Sequence, residues 1–229
     1  MTSRPIQEVL RLDKQPTFSD GCWIDTEAHR QIEALCESEL AKQGDVIWLH
    51  GLSGIGKTHL ATHLQRRFGL DYYDCADIPP TQAEPLFDSL DLARPMILDS
   101  IDRWIGPSGA EAVLFSWWKR RQAGALCIAH RSPRTPDFFS LPDLASRAVA
   151  AHIVAMEGLD DAGIETLWDC HLRERGLELS PDVARFLAPR LPRNPGRLVA
   201  LAAAMDQESL RDQRKITVPW VKQLLVALS

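Results

Sequence analysis

The run "GLSGIGKT" has residue types and spacing that can hold a phosphate chain. It fits G-x-x-x-x-G-K-[ST] with Gly51, Gly56, Lys57 and Thr58. Glycines let successive backbone N–H groups curl around phosphate oxygens, and a helix opening directly afterwards adds partial positive charge. Lys57 would reach the outer phosphates and Thr58 would ligate Mg²⁺. Gly54, Ile55 and His59 complete the candidate nucleotide-contact set. Further on, "PMILDS" is an apolar strand run that delivers Asp99 at its end, where a Mg²⁺-holding carboxylate belongs. Thr58 and Asp99 are thus the candidate metal ligands. The next residue is Ser100, which can hydrogen-bond but is no strong base at neutral pH. A nucleotide held here should turn over slowly. Asp102, three residues on, is an alternative acid whose position depends on the intervening loop.

Three further segments carry arginines of interest. "LPDLASR" ends in Arg147 just before an expected strand. An arginine presented to a neighbouring molecule can neutralise charge on a transferring phosphoryl group, worth about 10³–10⁵ in rate. "RNPGR" offers Arg193 or Arg197 at the start of a C-terminal helix, either of which could reach nucleotide phosphates. In "CIAHRSPR", His130 and Arg131 follow a strand and are the polar candidates beside the phosphates. The seven histidines show no metal-ligand spacing.

Elements that alternate must position these residues. "DVIWLH", "DYYDCA", "PMILDS", "ALCIAH" and "VAAHIVAM" read as five strands. Helices read over "IDTEAHRQIEALCESELAK", with Asp25 or Thr26 as N-cap, over the stretch after Gly56 to Gly69, over "PPTQAEPLFDSL" and over "GAEAVLFSWWKRRQAG". Strands alternating with helices predict a parallel sheet covered on both faces. Beyond residue 157 the pattern is helical, in "LDDAGIETLWDCHLRERG", "SPDVARFLAPRL", "PGRLVALAAAMDQESL" and "TVPWVKQLLVAL".

The 229 residues are 45% hydrophobic and 25% charged, enough for one core plus a small satellite. A net charge of −5 disfavours a free-standing nucleic-acid binder. Cys22, Cys36, Cys75, Cys127 and Cys170 are scattered with no CxxC pair and are expected to be reduced thiols. No run has signal-peptide or membrane-spanning character, so a cytoplasmic location is expected.

These residues together resemble the AAA+ family and, within it, the bacterial DnaA group, above all its short Hda-type homologues. The resemblance covers nearly the whole chain. "GLSGIGKTHL" is similar to the DnaA-type phosphate loop and "LPDLASR" to the arginine-finger box. "SPDVARFLAPRL" and "QRKITVPWVKQLL" are similar to the lid and C-terminus of Hda-type proteins, and are the most discriminating because they have no generic phosphate-loop role. DnaA itself has an N-terminal partner-binding domain and a basic helix-turn-helix domain after the lid; the expectation here is only a short arm and an end at Ser229.

The resemblance implies an α/β AAA+ module: an arm over 1–22, a five-stranded parallel base over 23–157 and a helical lid over 158–229. It implies bound ADP or ATP with Mg²⁺, and Arg147 as a finger acting in trans on ATP held by DnaA. It implies that "QEVLRL" docks in the groove of the DNA polymerase III sliding clamp through Gln7, Leu10 and Leu12, with Glu8 where the motif prefers Leu. Homodimers or higher oligomers, no sequence-specific DNA contact and no membrane association are implied. At the position of the lid arginine the family alignment places Gly196, with Arg197 one place late and Arg193 the other candidate. The implied function is negative regulation of replication initiation by stimulating hydrolysis of DnaA-bound ATP. The alternative is an autonomous AAA+ ATPase or loader that remodels a partner by its own hydrolysis.

Overall fold

Val46–His50 is apolar along nearly its whole length because both of its faces are covered. The computed structural model describes residues 22–40, 45–106, 109–212 and 215–227. In it β1 (Val46–His50), β2 (Asp71–Asp74), β3 (Met96–Asp99), β4 (Ala125–Ala129) and β5 (His152–Ala155) form one sheet in the order β2-β3-β4-β1-β5. Every pairing is parallel.

Successive strand residues point to opposite faces, and the sheet's two cores sort accordingly. Val46 and Trp48 of β1, Met96 and Leu98 of β3, and Ala125 and Cys127 of β4 face one core. Ile47, Leu49, Ile97, Leu126 and Ile128 face the other. Trp48 lies in register with Cys127, between Ala125 and Ala129 on the same face of β4, so small neighbours make room for the indole. The first core is covered by α3 (Ala83–Ser89), α4 (Glu111–Arg120) and α5 (Pro142–Val149). The second is covered by α1 (Glu27–Glu39) and α2 (Lys57–Phe68), through Ile32, Cys36, Leu60 and Leu64. Of the two cap candidates for α1, Thr26 is the one used: its hydroxyl accepts from His29 N, and His29 Nδ1 accepts from Thr26 N. This is a capping box with histidine in the place usually held by Glu or Gln.

The C-terminal helices are α6 (Asp161–Glu174), α7 (Pro181–Leu187), α8 (Pro195–Asp212) and α9 (Val218–Ala227). They pack around Ile164, Trp168, Leu198, Met205 and Val221 as a third core. That core also takes in Cys22 and Ile24, whereas Trp23 packs against the second core of the base. The segment 22–24 is therefore a seam between the two units. No described helix is long and apolar enough to cross a membrane.

The expectation of five reduced thiols fails for one pair. Cys22 and Cys170 of α6 are disulfide-bonded, with Cα atoms 5.6 Å apart and 148 residues of separation. Nothing in their spacing announces this, because packing of the lid on the seam creates the pairing. Cys36, Cys75 and Cys127 are free and buried.

Glu111 is a charged residue inside the first core, 5% exposed. Its carboxylate accepts from Gly106 N at 2.6 Å, Ser140 N at 2.9 Å and Leu141 N. It thus ties the turn before α4 to the N-terminus of α5, the helix that carries Arg147. Backbone donors on a carboxylate are worth about 1.5–3 kcal/mol each, and they are stranded if it is removed. Glu111→Ala should lower stability by about 3 kcal/mol in urea denaturation, and Glu111→Gln, which keeps one acceptor oxygen, by less.

Candidate nucleotide site

The loop between β1 and α2 is as tight as the motif predicts. A Cβ on Gly51 would lie 2.4 Å from Ile55 Cδ1 and 2.5 Å from Met156 O. Gly54 and Gly56 have φ of +77° and +105°, which side chains other than hydrogen rarely tolerate. α2 opens at Lys57, a residue 8% exposed whose ammonium donates to Gly51 O and Leu52 O, both at 2.8 Å. Burial pushes the Lys57 pKa below its ordinary value, against the opposing pull of the Asp99 and Asp102 carboxylates.

Asp99, at the end of β3, meets Thr58 across 41 residues of sequence. Thr58 Oγ1 donates to Asp99 Oδ2 at 2.9 Å and Tyr72 OH donates to the same oxygen at 3.0 Å. Ser100 N donates to Oδ1 at 2.7 Å. Burial raises the Asp99 pKa, and these three hydrogen bonds oppose the shift. The donor set fits a nucleotide with Mg²⁺. Loop N–H groups and Lys57 would hold phosphate oxygens, and Thr58 and Asp99 supply the hard oxygens that Mg²⁺ prefers. The metal would neutralise phosphate charge there.

The residues after Asp99 depart from an ordinary hydrolytic site. Ser100 sits at φ +53°, in the left-handed region. A 3₁₀ turn over Ile101–Trp104 follows and carries Asp102 to the end of β4. Asp102 Oδ1 accepts from His130 N at 3.1 Å, and its other oxygen is 3.7 Å from His130 Nδ1. Of His130 and Arg131, His130 is thus the one beside a carboxylate at the phosphate edge, while Arg131 lies over the Phe138 ring.

The lid touches the loop directly, through a residue that sequence reasoning did not single out. Asn194 Nδ2 donates to Ser53 O at 2.7 Å, and Asn194 Oδ1 accepts from Arg197 N at 3.1 Å. Gly196 N donates to Gly54 O at 2.7 Å. A Cβ on Gly196 would stand 3.1 Å from Gly54 Cα and O, so the close approach needs glycine. Arg193 pairs with Asp161 at the start of α6, and the Arg197 side chain is exposed. The only signal in the sequence was Gly196 standing where the lid arginine was expected.

Beside the loop, Trp23 stacks on His29 and His63 at 4.5 and 4.4 Å and meets His59 edge-on at 5.2 Å. Trp23, Ile24, Gly56, His59, Met156 and Pro195 line a cleft there. Its volume is about 50 Å³, far below the roughly 300–1,000 Å³ of small-molecule sites. A purine does not fit in the cleft as it stands.

Arg147 lies elsewhere. It is exposed on α5, over the Phe115 ring at 5.3 Å, and it lines a hollow with Asp45, Val46 and His152. Those residues are at the N-terminal ends of β1 and β5, whereas the loop leaves the C-terminal end of β1. A strand the length of β1 spans about 13 Å from its first to its last Cα, so Arg147 and the loop sit at opposite edges of the sheet. Gln7, Leu10 and Leu12 lie outside the described residues.

Comparison with known proteins bears on the fold and on the lid. Residues 160–225 match the family model of the Hda lid domain. The fold is similar to domain III of the Thermotoga maritima replication initiation protein DnaA, at TM-score 0.74 and 16% identity, over 93% of this chain and 97% of that one. The chain has the fold of DnaA domain III, and its C-terminal region is similar to the lid of Hda. A DnaA bound to AMPPCP and single-stranded DNA is also similar, at TM-score 0.63 and 20% identity, over 87% of this chain and 69% of that chain. An uncharacterised Haemophilus influenzae protein is 28% identical over 195 residues, 82% of this chain and 84% of its own length.

Two outcomes are expected of the site. Lys57→Ala should weaken binding of a fluorescent adenine nucleotide about a hundredfold, since it removes a charge-assisted contact worth about 3 kcal/mol. Asn194→Ala should raise amide hydrogen exchange at Gly196 roughly tenfold, by loosening the brace that keeps its N–H on Gly54 O.

Proposed function

We propose that this chain is an adenine-nucleotide-bound regulator of replication initiation that stimulates hydrolysis of ATP held by DnaA. The observation that carries the proposal is the position of Arg147. It stands at the sheet edge opposite its own phosphate loop, exposed, and held by a helix whose N-terminus Glu111 anchors. An arginine so placed cannot serve the nucleotide of its own chain, but it can serve one presented by a neighbour. The match to the Hda lid supports DnaA as that neighbour.

The chain's own nucleotide, ADP or ATP with Mg²⁺, is a structural ligand that sets the relation of base to lid. Ser100 supplies no base, and Asp102 is engaged by the His130 N–H. Intrinsic hydrolysis is therefore slow. In the neighbour's site, the Arg147 guanidinium offsets negative charge that develops on the transferring phosphoryl group. The arm docks on the DNA-loaded sliding clamp through Gln7, Leu10 and Leu12, which raises the local concentration of the finger near the initiator. The outcome is an initiator left with ADP, and initiation is restrained.

Turnover of DnaA-bound ATP in the presence of loaded clamp tests this. Arg147→Ala should lower the stimulation about a thousandfold, without loss of the chain's own nucleotide; equal stimulation by wild type and variant would remove the finger from the mechanism. Gln7→Ala should abolish capture of the chain by immobilised clamp, and undiminished capture would remove the arm's role.

A further inference from the structure

Cys22 and Cys170 stand out among the cysteines by position. Cys22 lies in the seam 22–24, next to Trp23, which belongs to the base, while Cys170 lies on α6 of the lid. Cys22 lines the narrow cleft together with Trp23, Ile24 and Leu167, so the bond ties a cleft residue to α6. At the phosphate loop the lid is held by hydrogen bonds from Asn194 and Gly196. Opening the cleft by swinging the lid therefore strains or breaks weak bonds at the loop and a covalent bond at the seam.

The pair is also chemically addressable. Cys22 is 4% exposed, but Cys170 is only partly buried. An imidazole nitrogen of His171 and a carboxylate oxygen of Glu174 lie within 4.8 Å of Cys22 Sγ. Burial holds the His171 pKa below its ordinary value, with Arg175 acting in the same direction, so the ring is neutral at pH 7 and can exchange a proton with a nearby thiol. By contrast, burial pushes the Cys36 and Cys127 thiols up to about 12, which leaves them unreactive.

We propose that Cys22 and Cys170 are a thiol–disulfide modification site that governs lid opening. Oxidised, the pair fastens the lid to the seam and holds nucleotide in; reduced, it releases the lid and lets nucleotide exchange. The reductant is a dithiol. One of its thiolates attacks the more accessible Cys170 Sγ, the Cys22–Cys170 bond breaks, and its electron pair leaves on Cys22 Sγ, which takes up a proton. The second thiol of the reductant then breaks the mixed disulfide, Cys170 leaves as a thiol, and the reductant is left as its own disulfide. Oxidation is the reverse exchange with a small disulfide such as oxidised glutathione.

The effect on exchange rests on the proposed nucleotide role, but the clamp itself does not, and the experiment separates them. The full chain is prepared with oxidised glutathione and, in parallel, with dithiothreitol. A non-reducing peptide map should show the Cys22 and Cys170 peptides joined only in the first sample. Closing so long a loop should raise the melting temperature by roughly 5–15 °C in the oxidised sample. Release of a fluorescent ADP should be about tenfold faster from the reduced sample, and Cys22→Ser without reductant should release as fast as reduced wild type. Failure of both samples to bind nucleotide would refute the nucleotide role, leaving the map and the melting shift to judge the clamp. A map that never joins the two peptides, or one melting temperature in both states, would overturn the clamp. So would release rates that do not differ between oxidised and reduced protein. Stoichiometric zinc in the reduced chain would overturn it in another way, by giving Cys22, His171 and Glu174 to a metal.

Discussion

All five strands run in the same direction, and that constraint decides what each edge of the sheet can do. Every strand C-terminus comes to one edge, so the phosphate loop after β1, Asp99 after β3 and His130 after β4 converge there without any special device. Every N-terminus comes to the other, where Arg147 stands just before β5. Chain direction thus separates the phosphate-loop motif from Arg147. Two cores of alternating strand residues make the separation rigid, since shifting a strand by one residue would put the Val46–Trp48 face where the Ile47–Leu49 face belongs.

The lid adds a second constraint at the first edge. Gly54 and Gly196 approach closely: a Cβ on Gly196 would stand 3.1 Å from Gly54 Cα and O, and Gly196 N donates to Gly54 O. An arginine would respond to the charge on a phosphate. A backbone N–H on a loop carbonyl responds only to whether the lid is down. The phosphate-loop motif is thereby tied to the position of the lid through the backbone.

The fold was legible where local chemistry dictates structure. Loop glycines, a lysine and a hydroxyl at fixed offsets needed only the motif, and Asp99 needed only a short apolar run before it. α2 could be closed at Gly69 because its φ of +64° is a glycine conformation. What escaped was set by contacts distant in sequence. Thr26 was distinguishable from Asp25 only through the reciprocal bond from His29. Asn194 is 141 residues from Ser53 and carries no motif. Glu111 carries no motif, yet its carboxylate organises a junction 30 residues away. The Cys22–Cys170 pairing depends on two cores meeting, and spacing arguments assume local geometry.

Ser100 shows how these levels combine. By residue type it lacks the basicity of a catalytic base. By conformation it is held left-handed, and its own N–H is spent on Asp99 Oδ1. The backbone therefore turns at this point in the service of Asp99, whose three donors offset the cost of burying a carboxylate beside a buried lysine. A protein that needed fast turnover would be expected to keep this corner open for water and a base. Here the corner is filled by the hydrogen bonds that Thr58, Tyr72 and Ser100 N donate to Asp99, and the charges of Asp99 and Lys57 are kept in place.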